Sequence, residues 1–249
     1  MNETALVKQW RQAVASDLRQ LAILHIRELT LEDLNGLIEN RFPESLGFRL
    51  TSENGKSCLD FVQKSLEDIK EINQQLLDEL AMDFAGIYLN HQYQVSPCES
   101  VWFDDENLIF QEAMFAVREF YNKYALEAEN WRVMPDDHLA LQIQFIAHLL
   151  DHDETKETLL DLSRFLDEHI LRWIDRFAAK VNKRCSTQFY AGINILTAQY
   201  LEEVRDMLAA LLEIPRETAE QIEKRLAREK SKPELVVPLK FMPGVSPSW

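Results

Sequence analysis

Hydrophobic residues return every three or four positions along most of the chain, which is the spacing of one face of an α-helix. Over residues 4–28 this spacing predicts an amphipathic first helix, and its apolar stripe runs through Leu6, Trp10, Val14, Leu18, Leu21, Leu24 and Leu29. Thr30, with Asp33 three positions later, resembles a capping box. We therefore predict that a short second helix begins at this point.

A loop and then one long helix are predicted for the next part of the chain. Residues 42–56 contain Pro43, Gly47 and an ENG segment that ends at Gly55, a combination typical of loops. The segment GKS at 55–57 imitates the end of a phosphate-binding loop, but Leu50 stands where that motif needs its first glycine. Gly55 is therefore interpreted as an ordinary turn residue. From residue 57 to residue 90 the apolar positions predict one long helix with an aromatic end.

The second half of the chain continues the helical spacing. It predicts helices over residues 104–125, from residue 135 onward, over about residues 154–167, and through residues 170–177. Asp104 or Asp105 is the expected N-cap of the first of these, and Ser186 or Thr187 is expected to open a last strong helix that ends at Leu212.

Composition supports an all-α fold. The 249 residues include only 6 Gly and 8 Pro, and no stretch alternates Val, Ile and Thr as a strand would. We predict a single compact globular helical domain of roughly eight to ten helices, or two helical subdomains. The domain is expected to cover residues 1–213, with a hinge near residues 127–134. Residues 214–249 are expected to form a charged helix and an extended, proline-containing tail.

Charge and cysteine usage narrow the class of protein. A formal net charge of −15 argues against a nucleic-acid binder and favours basic partners. Three distant cysteines without a CxxC pair fit a reducing compartment better than a disulfide framework or a zinc ribbon. The first twenty residues do not have the pattern of a secretory signal. No apolar run approaches the ~18 residues of a membrane span. We therefore expect a cytoplasmic protein without stable membrane insertion.

Asp136, Asp137 and His138 are the first candidates for chemistry. They follow Pro135, which suits the first turn of a helix, so the aspartates are expected near the positive end of a helix dipole. An Asp-His pair could act as an acid/base couple or ligate a metal. An enzyme alternative is therefore a helical metal-dependent hydrolase or oxidase that uses Asp137, His138, His148 and His152. Without an HExxH or Glu-x-x-His motif, a structural role as helix caps is favoured over catalysis.

A set of aromatic residues flanks the loop at Pro97, and it contains Phe84, Tyr88, Tyr93, Trp102 and Phe103. Core packing is the ordinary role of any one of them. As a group, however, they combine flat apolar surfaces with polar atoms, as binding clefts do. Together with the carboxylate of Asp137, this patch would suit a peptide that carries arginines and an apolar stretch.

Three segments in order resemble the motifs of the TorD/DmsD/NarJ-type redox-enzyme maturation chaperones, and in particular the TorD/DmsD branch of that family. Segment 97–102 (PCESVW) resembles the family's loop of proline, Glu-Ser-Val and an aromatic residue. Segment 135–141 (PDDHLAL) resembles its E-P-x-D-H motif, with Met134 in place of the glutamate. Segment 84–88 (FAGIY) occupies the place of its aromatic-x-x-Leu-Phe motif.

This resemblance implies an all-helical cytoplasmic chaperone that is not an enzyme and has no cofactor of its own. It implies binding of the twin-arginine leader and the apo form of an exported molybdopterin oxidoreductase subunit, which aids cofactor insertion and proofreading before export. The chaperone would be a monomer or a domain-swapped homodimer. The implied leader site consists of Asp137, His138, Trp102, Tyr88, Phe84, Glu99, Ser100, Pro97 and Asp136. In it, Asp137 and His138 orient the leader near its arginines, and Trp102, Tyr88 and Phe84 form an apolar floor.

Overall fold

The computed structural model describes residues 3–90, 92–104, 106–152 and 155–230, and all the regular elements within them are helical. The α-helices are α1 (Glu3–Ile26), α2 (Leu31–Glu39), α3 (Glu53–Glu67), α4 (Gln74–Phe84), α5 (Ser100–Phe103), α6 (Glu112–Lys123), α7 (Leu139–Asp151), α8 (Lys156–Glu168), α9 (Ile174–Arg184), α10 (Gln188–Leu212) and α11 (Ala219–Lys230). A π-helix (Ala85–Leu89) continues α4, and a 3₁₀-helix (Ile170–Arg172) precedes α9. The predicted all-α class is confirmed.

Two helices, α7 and α10, form the centre of the first compact unit, which extends to Arg216. Most side chains of α7 are buried, as expected for a helix that is apolar around most of its circumference. The amphipathic α1 packs along α7, and α10 packs against α3, α8 and α9. The second unit begins at Glu217, and α11 is its described part. The predicted tail beyond α11, with Phe241 and Trp249, lies outside the described residues.

Helix caps that depend on neighbours in sequence are where the sequence predicts them. Thr30 and Asp33 form a complete capping box at the start of α2. Thr187 is the N-cap of α10, and its hydroxyl accepts a hydrogen bond from the amide of Tyr190. Both predictions are confirmed because each cap needs only residues three positions apart.

The prediction of a loop up to residue 56 followed by one long helix is wrong. Helix α3 already begins at Glu53, so Gly55 lies in its first turn and is not a turn residue. The N-cap of α3 is Ser52, whose hydroxyl accepts a hydrogen bond from the Gly55 amide. The carboxylate of Glu203, on α10, accepts hydrogen bonds from the Ser52 hydroxyl and from the amides of Thr51 and Ser52, and so holds this cap from a distant part of the chain. A Cβ atom on Gly55 would collide with that carboxylate, so the close approach requires glycine.

Three further element boundaries differ from the predictions. Helix α3 ends at Glu67, and a separate α4 starts at Gln74. Asp104 is not the N-cap of α6, because its carboxylate accepts hydrogen bonds from the amides of Glu106 and Leu108 within the preceding loop. Asp105 lies outside the described residues. Helix α7 begins at Leu139, so Pro135 and the aspartates precede it instead of forming its first turn.

Two further features concern the apolar length of the helices and the state of the cysteines. Among the described residues, no helix combines the length and the apolar character that crossing a bilayer requires. Cys58, Cys98 and Cys185 are all free thiols.

Candidate functional site

The segments 97–100 and 137–139, which carry two of the three motifs, are bonded to each other through their backbones. The amide of Leu139 donates to the carbonyl of Pro97 at 2.7 Å, and the amide of Glu99 donates to the carbonyl of Asp137 at 3.1 Å. Cys98 and His138 form an isolated antiparallel bridge at the same place. We call this connection the motif joint. It fixes the PCESVW loop to the start of α7.

Asp137 holds the start of α5 within the motif joint. Its Oδ2 atom accepts a hydrogen bond from the Ser100 amide at 2.7 Å and another from the Ser100 hydroxyl. Its Oδ1 atom is buried and has no hydrogen-bond partner among the described residues. Burial raises the pKa of this carboxyl to about 6, although the bonds from Ser100 oppose that rise. The joint therefore contains a carboxylate with one free acceptor atom.

Glu99 links the joint to the body of α7 and to the residue that follows α8. Its Oε1 atom lies 2.9 Å from Nδ1 of His169, which follows α8. Its Oε2 atom accepts a hydrogen bond from the Gln142 amide nitrogen at 2.9 Å, and the same nitrogen donates to the Asp137 carbonyl at 3.0 Å. The Oε1 atom of Gln142 is buried without a partner among the described residues. The joint thus has two unpartnered acceptor oxygens, one on Asp137 and one on Gln142.

Asp136 and His138 have different partners from Asp137. The Asp136 carboxylate accepts two hydrogen bonds from the Arg118 guanidinium, at 3.0 and 2.6 Å, and its backbone carbonyl accepts one from the Tyr121 hydroxyl at 2.9 Å. His138 is the N-cap of α7, since its Nδ1 atom accepts a hydrogen bond from the Ala140 amide. Burial lowers the pKa of His138 to about 4, so the imidazole is neutral at pH 7. The prediction that the aspartates cap this helix is wrong, because His138 does so.

Phe84 and Tyr88 lie next to the joint but inside the core, 2 % and 7 % exposed. The Tyr88 hydroxyl lies 2.7 Å from Nδ1 of His25, and it donates to Oδ1 of Asn194 at 3.2 Å. The Nε2 atom of His25 lies 2.9 Å from the Thr197 hydroxyl. Sequence reasoning missed His25, although a polar residue on the apolar stripe of α1 is a signal that could have found it.

Trp102 is the predicted site residue with the most exposure. Its indole N–H donates to the Ser96 carbonyl at 3.0 Å, and its ring stacks on Trp173 with centroids 6.1 Å apart. Phe103, which follows it, is 38 % exposed. Tyr93 donates its hydroxyl to Asp83 at 2.6 Å and packs against Gly86.

Eight of the nine predicted site residues are therefore buried, and Trp102 is half-buried. The structure brings together Pro97, Glu99, Ser100, Asp137 and His138. Asp136 lies beside them because it precedes Asp137 in the chain. Tyr88 lies beside the joint, with its ring centroid 6.5 Å from that of His138, and Phe84 packs on Tyr88. Both are buried and do not form an open patch. The role of these residues in leader binding stays a prediction.

The four residues of the enzyme alternative do not form one site. Asp137 and His138 lie at the start of α7, whereas His148 and His152 lie near its end, at least ten residues later. Ten residues of α-helix span about 15 Å, which is too far for a shared metal ion. The described residues contain no group of three or more His, Cys, Asp or Glu side chains that could hold a metal.

The pKa of Asp137 leads to a stability prediction. The folded state binds the proton of this carboxyl more tightly than the unfolded state, because the pKa is about 6 in the folded state and 3.8 ordinarily. The free energy of unfolding therefore falls as pH rises through this range. Asp137→Asn removes that loss and keeps an oxygen for Ser100. Relative to wild type, the variant should gain about 2–3 kcal/mol in the free energy of unfolding between pH 4 and pH 7.5, measured by urea titration.

The matched control for this measurement is Asp175→Asn, which removes one exposed carboxylate from α9. Its free energy of unfolding, relative to wild type, should stay within about 0.5 kcal/mol across the same pH range. If the free energy of unfolding of Asp137→Asn, relative to wild type, does not change with pH, the assignment of a raised pKa to this carboxyl is contradicted.

Comparison with known proteins shows which proteins this chain is similar to. The chain is 27% identical over 205 residues to a "Chaperone protein TorD" of Shewanella sp. (strain MR-4), covering 75% of this chain and 95% of the relative. A second "Chaperone protein TorD", from Shewanella pealeana, is 26% identical over 214 residues, covering 83% and 93%. A "Probable Tat proofreading chaperone DmsD" of Haemophilus influenzae is 27% identical over 134 residues, covering 54% and 62%.

These relatives confirm the resemblance to the TorD and DmsD chaperones and support a chaperone over the enzyme alternative. The family model described as nitrate reductase delta subunit matches residues 52–179, a segment that contains the motif joint and Trp102. This segment is just over half of the chain. The protein therefore belongs to the nitrate reductase delta subunit family.

Proposed function

We propose that the protein is a cytoplasmic chaperone that binds the twin-arginine leader and the apo form of an exported molybdopterin oxidoreductase subunit, before cofactor insertion and export. The names of its relatives support this function, since they describe chaperones and, in one case, Tat proofreading. The polar contacts of the motif joint support a site for arginine.

The observation that carries the proposal is a pair of acceptors in the motif joint, Oδ1 of Asp137 and Oε1 of Gln142, which have no hydrogen-bond partner in the described part of the chain. A buried acceptor without a donor destabilises a folded protein by about 1–3 kcal/mol, so two of them at one place favour a ligand that donates hydrogen bonds. A guanidinium offers several donors in one plane and pairs best with a carboxylate. The arginine of a leader could therefore supply the hydrogen-bond donors that these two oxygens lack.

Access to Asp137 requires a movement of the PCESVW loop, because the carboxylate is buried under Ser100. In this proposal the loop that carries Trp102 lifts away from α7, and the leader arginine replaces the hydrogen bonds from Ser100. Phe84 and Tyr88 then line the floor that the loop uncovers. The π-helix at Ala85–Leu89, a type of element that is frequent at functional sites, lies in the chain segment that follows Phe84.

Leader binding by Asp137→Asn tests the proposal. Titration calorimetry with a synthetic twin-arginine leader should give an affinity about tenfold to a hundredfold weaker for this variant than for wild type, because a charge-assisted hydrogen bond is lost. Asp175→Asn removes the same charge from an exposed position and should bind like wild type. A leader with lysines in place of both arginines should bind wild type more weakly than the natural one.

Equal affinities for wild type and Asp137→Asn would contradict the role of this carboxylate. A wild-type protein that binds no twin-arginine leader would contradict the proposed function itself. The pH titration of stability shows separately that Asp137→Asn is folded, so weak binding cannot come from a misfolded variant.

A further inference from the structure

A row of cations lies along α9 and the turn before it, in a chain whose net charge is −15. It consists of Arg172, Arg176, Lys180 and Arg184, spaced four residues apart, and we call it the cation ridge. Residues four apart on an α-helix lie on one face, so Arg176, Lys180 and Arg184 share a face of α9. Asp175 is the one carboxylate within the segment 172–184.

The cation ridge is electrostatically unfavourable within the described chain. Like charges four residues apart destabilise a helix by about 0.2–0.5 kcal/mol for each pair. Arg176 and Lys180 are both exposed, and neither forms an ion pair with a carboxylate among the described residues. Arg184 donates to the backbone carbonyl of Tyr93 and to the side-chain oxygen of Gln94, both of which are neutral. The three ridge cations on α9, Arg176, Lys180 and Arg184, therefore have no carboxylate partner among the described residues.

Aromatic rings hold the ridge cations in place. The Arg176 guanidinium lies 5.5 Å from the ring centroid of Trp102, and the Lys180 ammonium lies 4.8 Å from the same centroid. Arg172 and Arg176 lie 4.3 and 5.4 Å from the ring centroid of Phe103. Cation–π contacts of this kind reduce the freedom of long side chains, so less conformational entropy is lost when an anion binds.

The geometry of the ridge favours an extended ligand. Four residues of α-helix advance about 6 Å, so the three cations on α9 are placed at steps of about 6 Å along one line. Every second residue of an extended chain advances about 6.6 Å, with its side chain on the same side. An extended segment with Asp or Glu at alternate positions can therefore place one carboxylate beside each cation. A compact phosphate needs donors that converge on one point, whereas the cations of the ridge are spread along a line.

We propose that the cation ridge binds an extended acidic segment of a partner protein, with acidic residues at alternate positions. The ridge repels arginines, so this segment is distinct from a basic leader. A membrane surface is disfavoured because no outward position of α9 has a large apolar side chain to insert. These positions are Asp175, Arg176, Ala179, Lys180, Asn182, Lys183 and Arg184.

Binding of a labelled acidic peptide tests the ridge. The probe is a ten-residue peptide with Asp at alternate positions and Ser between them, followed by fluorescence anisotropy at low salt with the full chain. The double variant Arg176→Glu/Lys180→Glu should weaken binding at least tenfold, and added salt should weaken binding to wild type. The control Lys64→Glu/Lys70→Glu makes the same change of charge at two exposed lysines elsewhere and should change the affinity less than threefold.

Three results would overturn the proposal. They are the absence of peptide binding by wild type, equal weakening by the control variant, and ridge-dependent binding to vesicles that contain phosphatidylserine without binding of the peptide. Because the substituted side chains are on the surface, both variants should fold. Circular dichroism checks this. Asp137→Asn should bind the acidic peptide with an affinity within threefold of wild type, which separates this site from Asp137.

Discussion

Replacement of Glu99 by alanine should lower the free energy of unfolding by about 3–4 kcal/mol. Glu99 is 1 % exposed, and its two carboxylate oxygens receive hydrogen bonds from different helices through His169 and Gln142. Removal of the carboxylate leaves Nδ1 of His169 buried without a partner and creates a cavity beside Gln142. Urea unfolding at pH 7 measures the loss.

Two control variants show whether the joint causes this loss. Glu119→Ala removes an exposed glutamate from α6 and should change the free energy of unfolding by less than about 0.5 kcal/mol. Glu99→Gln keeps one acceptor for His169 and should lie between wild type and Glu99→Ala. An effect of Glu99→Ala below about 1 kcal/mol would show that the motif joint does not stabilise the fold.

A stabilising joint and a ligand site place opposite demands on the same residues. The hydrogen bonds of Glu99 tie the loop to the body of the protein, whereas the proposed leader binding would require that Asp137 release Ser100. The two acidic motif residues can satisfy both demands because they have separate partners. Glu99 anchors the beginning of the loop, and the contact between Asp137 and Ser100 is the one that opens. Trp102, which follows Ser100, would then move with the loop and alter its contacts with Arg176 and Lys180.

The sequence could predict those parts of the fold that depend on near neighbours. Thr30 and Asp33 cap α2 across three residues. The helical period also predicts the buried face of α1 at Val14, Leu18 and Leu21, although Leu6, on the same predicted stripe, is exposed. The start of α3 at Glu53 had a local signal, because Ser52 is its N-cap, but Gly55 favoured a turn at the same place. The reason for that glycine is not local, since it is the close approach of the Glu203 carboxylate, 151 positions after Ser52. A contact of this length depends on how the helices pack, and no local pattern encodes it.

The candidate site divides in the same way. The motifs identified Glu99, Ser100 and Asp137 as residues that belong together, and the structure brings them into contact. The motifs did not indicate that these side chains face each other, because the sequence does not distinguish a buried carboxylate from an exposed one. His169, which follows α8, and Gln142, within α7, complete the joint, and neither lies in the three motif segments.

Acid should destabilise the protein strongly through His25. Burial, with a smaller contribution from His138, lowers the pKa of His25 to about 3, far below its ordinary value of 6.5. Between pH 6.5 and 3 the unfolded state therefore binds a proton that the folded state does not, and stability is lost as pH falls. This one imidazole should remove about 2–3 kcal/mol between pH 7 and pH 4.5, and on the order of 5 kcal/mol by pH 3.

The variant His25→Gln separates this effect from other titrating groups. Its amide has donors and an acceptor for the hydroxyls of Tyr88 and Thr197, but it does not titrate. We expect the variant to be less stable than wild type at pH 7 and to lose about 2–3 kcal/mol less on going to pH 4.5, measured by urea unfolding. His152→Gln, which removes an exposed histidine, should follow wild type across this range. Parallel stability curves for wild type and His25→Gln would contradict the neutral, buried state of His25. Because His25 bonds to Tyr88, a positive result also shows that the floor beneath the motif joint is held by a group that must stay uncharged.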